Sequence, residues 1–422
     1  MINIVVIGAG ERAKVYARYC RANPDQVRIV ALAEPVPARR AAYAQLNNIP
    51  EDNCFSSWQE LFGKGKLGEA ALICTTDMLH TEPTLAALGL GYNVLLEKPM
   101  APNLEENIRL VETAEATGRL LQICHVLRYT TFFGAVREVV RSGRLGRVIN
   151  VTHSENLVYW HMAHSFVRGN WRNTEVAAPM ILAKCCHDLD ILYWILGQRV
   201  KWLSSSGSLI LFRAENAPPG APARCTDGCP AADECPFYAP RLYATDKTGW
   251  PYDVASPEPS IPARLEALET GPYGRCVYHT DNNVVDHQTV SMALEDGTTV
   301  TLVMNGHGDE ECRTMRYDGT RATLHGKFAV HGTSELSIHD HLTGKVEHIN
   351  VDTGDTSGHG GGDSGIMRSF INTLNGQPDE HSTTARQSLE SHLLAFAAEE
   401  ARLSNRTIDM EAFRATLNGL YT

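Results

Sequence analysis

A lysine stands at the point where an apolar strand ends. The stretch "NVLLEKPMAP", residues 93–102, has the pattern of a buried strand that stops at Glu97, Lys98 and Pro99. An ammonium group there could donate a hydrogen bond to an alkoxide, and burial could lower its pKa from ~10.4 until it transfers protons. The alternative is a surface ion pair of Glu97 with Lys98, worth ~0–1 kcal/mol. The position at a strand end favours a chemical role.

Three more ionisable side chains share one face of a predicted helix. The apolar pattern from residue 181 to 196 predicts a single helix with Lys184, His187 and Asp188 at i, i+3 and i+4. Imidazole suits a general base, because its unperturbed pKa of ~6.5 lies near working pH. A base and a cation together could take the hydroxyl proton of a secondary alcohol while a hydride leaves the same carbon. A surface face of mixed charge is the alternative, and the apolar remainder of the helix argues against it.

The chain begins with an element that could bring a hydride acceptor to these groups. "INIVVIGAGERAKVYARYC" reads as a strand, a tight turn and a helix. In the turn, Gly8 would allow the chain reversal, Gly10 would let the backbone approach a pyrophosphate, and Ala13 would let the helix pack closely. Glu11 and Arg12 lie in the same loop. We therefore expect a dinucleotide to bind here, with these five residues around it.

A carboxylate follows the second predicted strand. "VRIVALAE" ends in Glu34, at about the spacing where an acidic residue meets the adenosine ribose hydroxyls. This favours NAD over NADP. Arg39 and Arg40 follow closely and could instead bind the 2′-phosphate of NADP, or lie in the solvated first turn of a helix.

Three further strand-like segments alternate with helical patterns. They are "EAALICTT", "NVLLEKP" and "RLLQICHV", and the alternation predicts a doubly wound parallel sheet. Ligands of such sheets bind beyond the carboxyl ends of the strands, so several residues should share one rim. These are Thr75, Thr76, Asp77, Glu97, Lys98 and His125. The candidates for cofactor binding in this region are Thr75, Thr76, His80, Glu97 and Lys98.

Composition narrows the class of protein. The chain has 422 residues, 43% hydrophobic and 21% charged, and a net charge of −11. We expect no nucleic acid partner, because no basic patch stands clear of acidic neighbours. The apolar start has no basic leader and is far shorter than the ~20 residues of a membrane span, so we expect a cytoplasmic protein without membrane contact.

The order of the motifs resembles the Gfo/Idh/MocA oxidoreductases, the family of glucose-fructose oxidoreductase and inositol dehydrogenase. The matching stretches are "VIGAGERA", "CTTDMLH", "EKP", "KCCHDLDILYWILG", "GTRATLHG" and "SLESHLLAFAAEEARLS". The resemblance implies a Rossmann domain, residues 1–126, and an α/β domain with a large, mostly antiparallel sheet, residues 127–422. It also implies a homodimer or homotetramer built by sheet packing.

The resemblance further implies an activity. Members typically oxidise or reduce a hydroxyl of a sugar, cyclitol or similar polyol, with the lysine of "EKP" and a later histidine flanking the carbinol. Carried over, these are Lys98 and His187. Many relatives have an aspartate four residues before that histidine, where this chain has Ala183. The base could then be His187 oriented by Asp188 or Asp190, or Lys184 could share the substrate contacts.

The same cofactor site and the same residues, Lys98 and His187, are compatible with two other functions. Some similar proteins are NAD-dependent glycosidases that oxidise a sugar transiently, eliminate the aglycone, add water and return the hydride. A third hypothesis is a regulator that senses NAD without catalysis. The presence of both Lys98 and His187 argues against the regulator, because a sensor needs no base at the nicotinamide.

An aromatic segment is the candidate for substrate binding. "THSENLVYWHMAHSFVRGNWRN", residues 152–173, has the aromatic, histidine and arginine content that suits stacking on a sugar ring. The candidates are Tyr159, Trp160, His164, Arg168 and Trp171. The alternative for any one of them is packing into the core. A later glycine-rich stretch, Ser357–Gly365, contains His359 and Asp363, and we interpret Asp363 as a helix N-cap.

Four cysteines mark an insert at about residues 211–280. The segment is rich in proline and small residues, and it contains Cys225, Cys229 and Cys235, followed 41 residues later by Cys276. In a reducing compartment this predicts a structural metal site with four thiolate ligands, zinc by default. Disulfides, free thiols and an iron–sulfur cluster are the alternatives.

Overall fold

The computed structural model describes residues 1–330, 332–351 and 358–417. Within these residues the chain forms a parallel sheet of six strands and a mostly antiparallel sheet of nine. Helices cover both faces of the parallel sheet, whose strands are therefore apolar runs rather than alternating ones. The α/β fold class predicted from the sequence is confirmed.

The parallel sheet has the strand order β3-β2-β1-β4-β5-β6. Its strands are β1 (Ile2–Ile7), β2 (Val27–Ala33), β3 (Cys54–Phe55), β4 (Ala70–Ile73), β5 (Asn93–Leu96) and β6 (Leu121–Ile123). The helices between them are α1 (Glu11–Ala22), α2 (Pro37–Asn47), α3 (Trp58–Gly63), α4 (Thr81–Gly89) and α5 (Leu104–Thr117). The order reverses between β1 and β4, which places a crevice at the carboxyl ends of these two strands.

The second sheet has the order β14-β13-β12-β11-β7-β10-β9-β8-β15, and β7 and β10 are its parallel pair. Its strands are β7 (Val148–Val158), β8 (Val200–Ser208), β9 (His287–Leu294), β10 (Thr299–Gly308), β11 (Cys312–Gly319), β12 (Ala322–Ala329), β13 (Glu335–Asp340), β14 (Val346–His348) and β15 (Ile408–Asp409).

Ten helices accompany this sheet among the described residues. They are α6 (Thr131–Arg141), α7 (Tyr159–His161), α8 (Met180–Ala183), α9 (Cys186–Leu196), α10 (Ala239–Tyr243), α11 (Tyr252–Ala255), α12 (Ile261–Thr270), α13 (Gly362–Leu374), α14 (Ala385–Ser404) and α15 (Met410–Ala415). A π-helical segment, Met162–Arg168, follows α7.

Two late helices return to the parallel sheet. Ile366 and Phe370 of α13 pack into the apolar cluster on one of its faces, and Leu389 and Leu393 of α14 pack into the cluster on the other. The end of the chain therefore completes the core of the first domain.

The predicted single helix from 181 to 196 is wrong, because the chain breaks between α8 and α9. Lys184 and Cys185 lie outside both helices, and Cys185 has ψ near 3°. The break leaves the carbonyl oxygen of Ala183 to accept a hydrogen bond from the Lys98 ammonium at 2.7 Å. Lys184 therefore does not share a helical face with His187.

Candidate active site

The turn after β1 leaves room for a phosphate group. Gly8 has φ +88°, and a Cβ there would lie 2.8 Å from the carbonyl oxygen of Cys74, so only glycine fits. Gly10 is the N-cap of α1 and offers no side-chain cap, and a Cβ on it would meet no atom within 4 Å. Open space thus faces the first amides of α1, which is the arrangement that binds pyrophosphate. Ala13 is fully buried, as close packing of α1 requires.

Glu34 forms hydrogen bonds with the backbone beside the same loop. Its carboxylate accepts hydrogen bonds from the backbone of Ala9 at 2.8 Å and of Val36 at 3.0 Å, and the residue is only 2% exposed. Arg39 approaches this carboxylate at 3.5 Å, while Arg40 donates to the Glu34 carbonyl oxygen at 2.6 Å. The anion beside the loop is therefore buried, and both arginines lie next to it.

The rim residues have different surroundings. Thr76 is exposed, whereas His80 is fully buried, with Nδ1 2.8 Å from the Pro99 carbonyl oxygen and Nε2 3.2 Å from that of Thr75. The ring of His80 thus ties the loop after β4 to the loop after β5. Glu11 is exposed and pairs with Lys14 at 2.6 Å.

Arg12 joins the dinucleotide loop to two carboxylates. Its Nε donates to Glu97 at 2.6 Å, and its terminal nitrogens reach Asp363 at 2.6 and 3.2 Å. Tyr16 donates to the same Glu97 carboxylate at 2.5 Å. Burial opposes ionisation of Glu97 and Asp363 and is the largest single effect on each. Arg12, together with Tyr16 at Glu97 and His359 at Asp363, outweighs burial and lowers both pKa values. The guanidinium of Arg12 is therefore engaged within the protein.

Lys98 and His187 lie together at the rim. Burial, followed by the positive charge of Lys98, lowers the pKa of His187 well below its ordinary value. The imidazole is therefore neutral, and its Nδ1 has no hydrogen-bond partner among the described residues. A neutral base beside an oriented ammonium can accept a hydroxyl proton.

Two further imidazoles flank His187. The ring centroid of His125 lies 5.8 Å away, and that of His359 lies 6.1 Å away. Burial lowers the pKa of His125 to about 3. Asp190 lies 3.9 Å from His125 but forms its hydrogen bonds with Arg128, at 2.6 and 2.7 Å.

Asp188 forms its hydrogen bonds with residues other than His187. Its carboxylate lies 2.8 Å from His153 Nε2 and accepts a hydrogen bond from Arg313 at 2.8 Å. Burial would raise its pKa, but Arg313 and His153 lower it instead. Asp188 thus stabilises a buried ion network.

Lys184 lies between two glutamates. Its ammonium is 3.1 Å from Glu155 and 3.2 Å from Glu311, and Glu311 also contacts His161 Nδ1 at 3.0 Å. Burial works against its charge, but Glu155 and Glu311 outweigh burial and raise the pKa of Lys184. Lys184 therefore remains protonated and can donate, but it cannot serve as a base.

The five candidate substrate residues separate into two groups. Trp171 donates from its indole to Asp77 at 3.1 Å and so reaches the rim after β4, while Tyr159 and Trp160 are exposed or half-buried aromatic rings. His164 is buried, stacked on Tyr273 with centroids 4.6 Å apart, and burial lowers its pKa to about 3.

Arg168 belongs to the interior as well. It is 1% exposed and donates to the carbonyl oxygens of Arg275 and Phe237, both at 2.7 Å. The polar atoms of His164 and Arg168 thus serve the packing of the cysteine insert.

The four cysteines of the insert line one small cavity beside Arg168, as free thiols. The predicted metal site is not supported, because the described part of the chain contains no group of three His, Cys, Asp or Glu residues arranged to hold a metal ion. Burial raises the pKa of Cys235 and of Cys276. The Cys225 sulfur accepts a hydrogen bond from Arg168 at 3.6 Å.

The predicted N-cap role of Asp363 is wrong. Asp363 is not an N-cap, since α13 begins at Gly362 with Gly361 as its N-cap. Its carboxylate instead lies 3.1 Å from His359 Nδ1. Ser357, the first residue of that glycine-rich stretch, lies outside the described residues. The Gly-rich spacing was visible, but no local pattern shows that His359 faces His187.

Comparison with known proteins establishes the class. The family model described as "Oxidoreductase family, NAD-binding Rossmann fold" matches residues 2–125, and the "GFO/IDH/MocA C-terminal domain" matches residues 133–220. The chain therefore belongs to the GFO/IDH/MocA oxidoreductase family, as the sequence motifs predicted.

Two curated relatives are similar to part of the chain. A 1,5-anhydro-D-fructose reductase of Ensifer adhaerens is 34% identical over 172 residues, which cover 40% of this chain and 49% of that protein. An inositol 2-dehydrogenase of Streptomyces avermitilis is 29% identical over 202 residues, 47% of this chain and 54% of the other. The matches thus span about half the length of these curated relatives.

Solved structures share the fold over almost the whole chain. An oxidoreductase from Agrobacterium radiobacter, in complex with NAD+, L-tartaric acid and magnesium, has a TM-score of 0.68 at 16% identity and covers 97% of this chain and 99% of that one. In the part of the chain that the structure describes, no helix has the length and apolar character needed to cross a bilayer.

Proposed function

We propose that this protein is an NAD-dependent dehydrogenase acting on a secondary hydroxyl of a sugar, glycoside or cyclitol. The observation that carries the proposal is the pairing of Lys98, oriented by the Ala183 carbonyl, with the buried neutral imidazole of His187. The relatives named as inositol dehydrogenase and anhydrofructose reductase support this substrate class.

Three residues of the chain, His187, Lys98 and Lys184, have different roles at the carbinol. Bound NAD supplies the hydride acceptor, or the donor when it is reduced. His187 accepts the hydroxyl proton as the carbon–hydrogen bond breaks, and the Lys98 ammonium donates a hydrogen bond to the oxygen that becomes negative. Lys184 binds substrate oxygens as a permanent cation, held by Glu155 and Glu311.

NAD rather than NADP is our proposal for the cofactor. The buried carboxylate of Glu34 beside the loop would repel a 2′-phosphate. Arg39 already approaches Glu34, and Arg40 donates to its carbonyl oxygen. A cytoplasmic location and a homodimer or homotetramer remain predictions from the sequence.

Absorbance of reduced nicotinamide tests the function directly. Purified protein is mixed with NAD+ or NADP+ and a panel of free sugars, cyclitols and chromogenic glycosides. Steady growth of the band with a free polyol and NAD+ is the expected result. Aglycone release that needs NAD+ but gives no net reduction would replace the dehydrogenase with the redox-neutral glycosidase, and no reaction in either assay would reject both.

A further inference from the structure

The proton that His187 accepts must leave a buried position. His187 is 5% exposed, and burial holds its pKa far down, so the imidazolium is an unfavourable resting state. The charged and titratable groups that act on it are Lys98 after β5, His125 after β6, Arg313 of β11 and His359 before α13. Lys98 donates to the carbonyl oxygen of Ala183 and Arg313 donates to Asp188, so both side chains act as donors. His125 is 1% exposed, so its ring does not meet bulk solvent.

His359 differs from the other neighbours in two respects. Its side chain is 35% exposed, so it connects the rim to solvent. Its Nδ1 lies 3.1 Å from the carboxylate of Asp363, so this nitrogen carries the hydrogen and Nε2 is the ring atom left to accept a proton.

Burial and an ion pair with Arg12 fix the position of the His359–Asp363 pair. Asp363 is 2% exposed, and Arg12 binds its carboxylate at 2.6 Å. His359 itself has φ +54°, a left-handed conformation that a non-glycine residue adopts only when its surroundings impose it. The ring centroids of His187 and His359 are 6.1 Å apart, so the two imidazoles are direct neighbours at the rim.

We propose that His359 carries the proton between His187 and bulk solvent, with Asp363 as its positioning residue. The inference rests on the proposed dehydrogenase function. During oxidation the substrate O–H bond breaks and its proton passes to His187, then through water to His359 and to solvent. The hydride leaves the carbon for the nicotinamide, so the alcohol loses two electrons and one further proton. Reduction runs the same path in reverse.

The test compares His359→Gln with wild type in the full-length protein with NAD+ and the best polyol. His348→Gln, an exposed histidine on β14, is the matched control. We expect kcat of His359→Gln to fall about tenfold in dilute buffer and to recover as imidazole is added, because a small base replaces the lost relay. The rate of the first turnover and kcat/KM should stay at wild-type values, so KM should fall together with kcat, and the solvent deuterium effect on kcat should rise.

Each other outcome has a definite meaning. An unchanged, buffer-independent kcat in His359→Gln would overturn the relay while the dehydrogenase function stands. Loss of activity that imidazole does not rescue would make His359 structural and also overturn the relay. Absence of turnover in wild type with every polyol would remove both the function and the inference.

Discussion

Replacing Lys98 with methionine removes the cation from the site while keeping most of the side-chain volume. The change deletes the 2.7 Å hydrogen bond to Ala183 and the charge that depresses the pKa of His187. Loss of one donor to a developing oxyanion costs ~2.7–4 kcal/mol, so kcat should fall about 10²–10³-fold. The pKa of His187 should rise, and because catalysis needs the neutral ring, the acid limb of kcat/KM should move to higher pH.

The assay is the steady-state rate of nicotinamide reduction between roughly pH 5 and pH 9, the range in which a histidine limb is visible. Lys66→Met is the matched control, since exposed Lys66 also donates to a backbone carbonyl, that of Gly91, at 2.7 Å. NAD+ affinity from tryptophan fluorescence should be unchanged in both variants. A Lys98→Met enzyme with the kcat and pH profile of Lys66→Met would refute the catalytic reasoning.

Three further predictions concern other parts of the chain. Gly8→Ala and Gly65→Ala both place a side chain at left-handed φ, +88° and +83°, which lowers the stability of the fold by roughly 1–2 kcal/mol. Only the new Cβ of Gly8→Ala also meets a carbonyl oxygen, so calorimetry should show weakened NAD+ binding for that variant alone. Asp190→Asn leaves the buried Arg128 without its anion, and urea titration should give a loss of about 3–5 kcal/mol in the free energy of unfolding. His125 has a pKa of about 3 in the folded protein, whereas the unfolded chain binds a proton at this residue below pH ~6.5. The free energy of unfolding therefore falls as pH falls, by about 2 kcal/mol at pH ~5. Urea titrations of His125→Gln should show a shallower dependence of this free energy on pH.

Sequence reasoning succeeded where the structure is local. The turn at Gly8 and Gly10 and the strand that ends at Lys98 each carry their signal within about ten residues, because strand periodicity and glycine conformation act over that range. The helix break after Ala183 carries no such signal. No proline or glycine marks it, and the hydrogen bond that the break permits comes from Lys98, far earlier in the chain.

The environment of the ionisable groups could not be read from spacing either. Asp188 stands beside His187 in sequence but binds His153 and Arg313 of the second sheet. Asp363 resembled a cap because it precedes a helix, whereas its partner Arg12 is 351 residues away. Tertiary packing decides which buried charges pair when they lie hundreds of residues apart in sequence. A single sequence contains no signal for such pairs.

The return of α13 and α14 to the parallel sheet limits how this protein can be divided. A fragment ending at residue 126 would expose the apolar patches that Ile366, Phe370, Leu389 and Leu393 cover. Such a fragment should aggregate rather than bind dinucleotide, although the match to the Rossmann family model ends at residue 125. An engineer who wishes to exchange the cofactor half between relatives would have to transplant these two helices with it, so the unit of modular exchange is discontinuous in the gene.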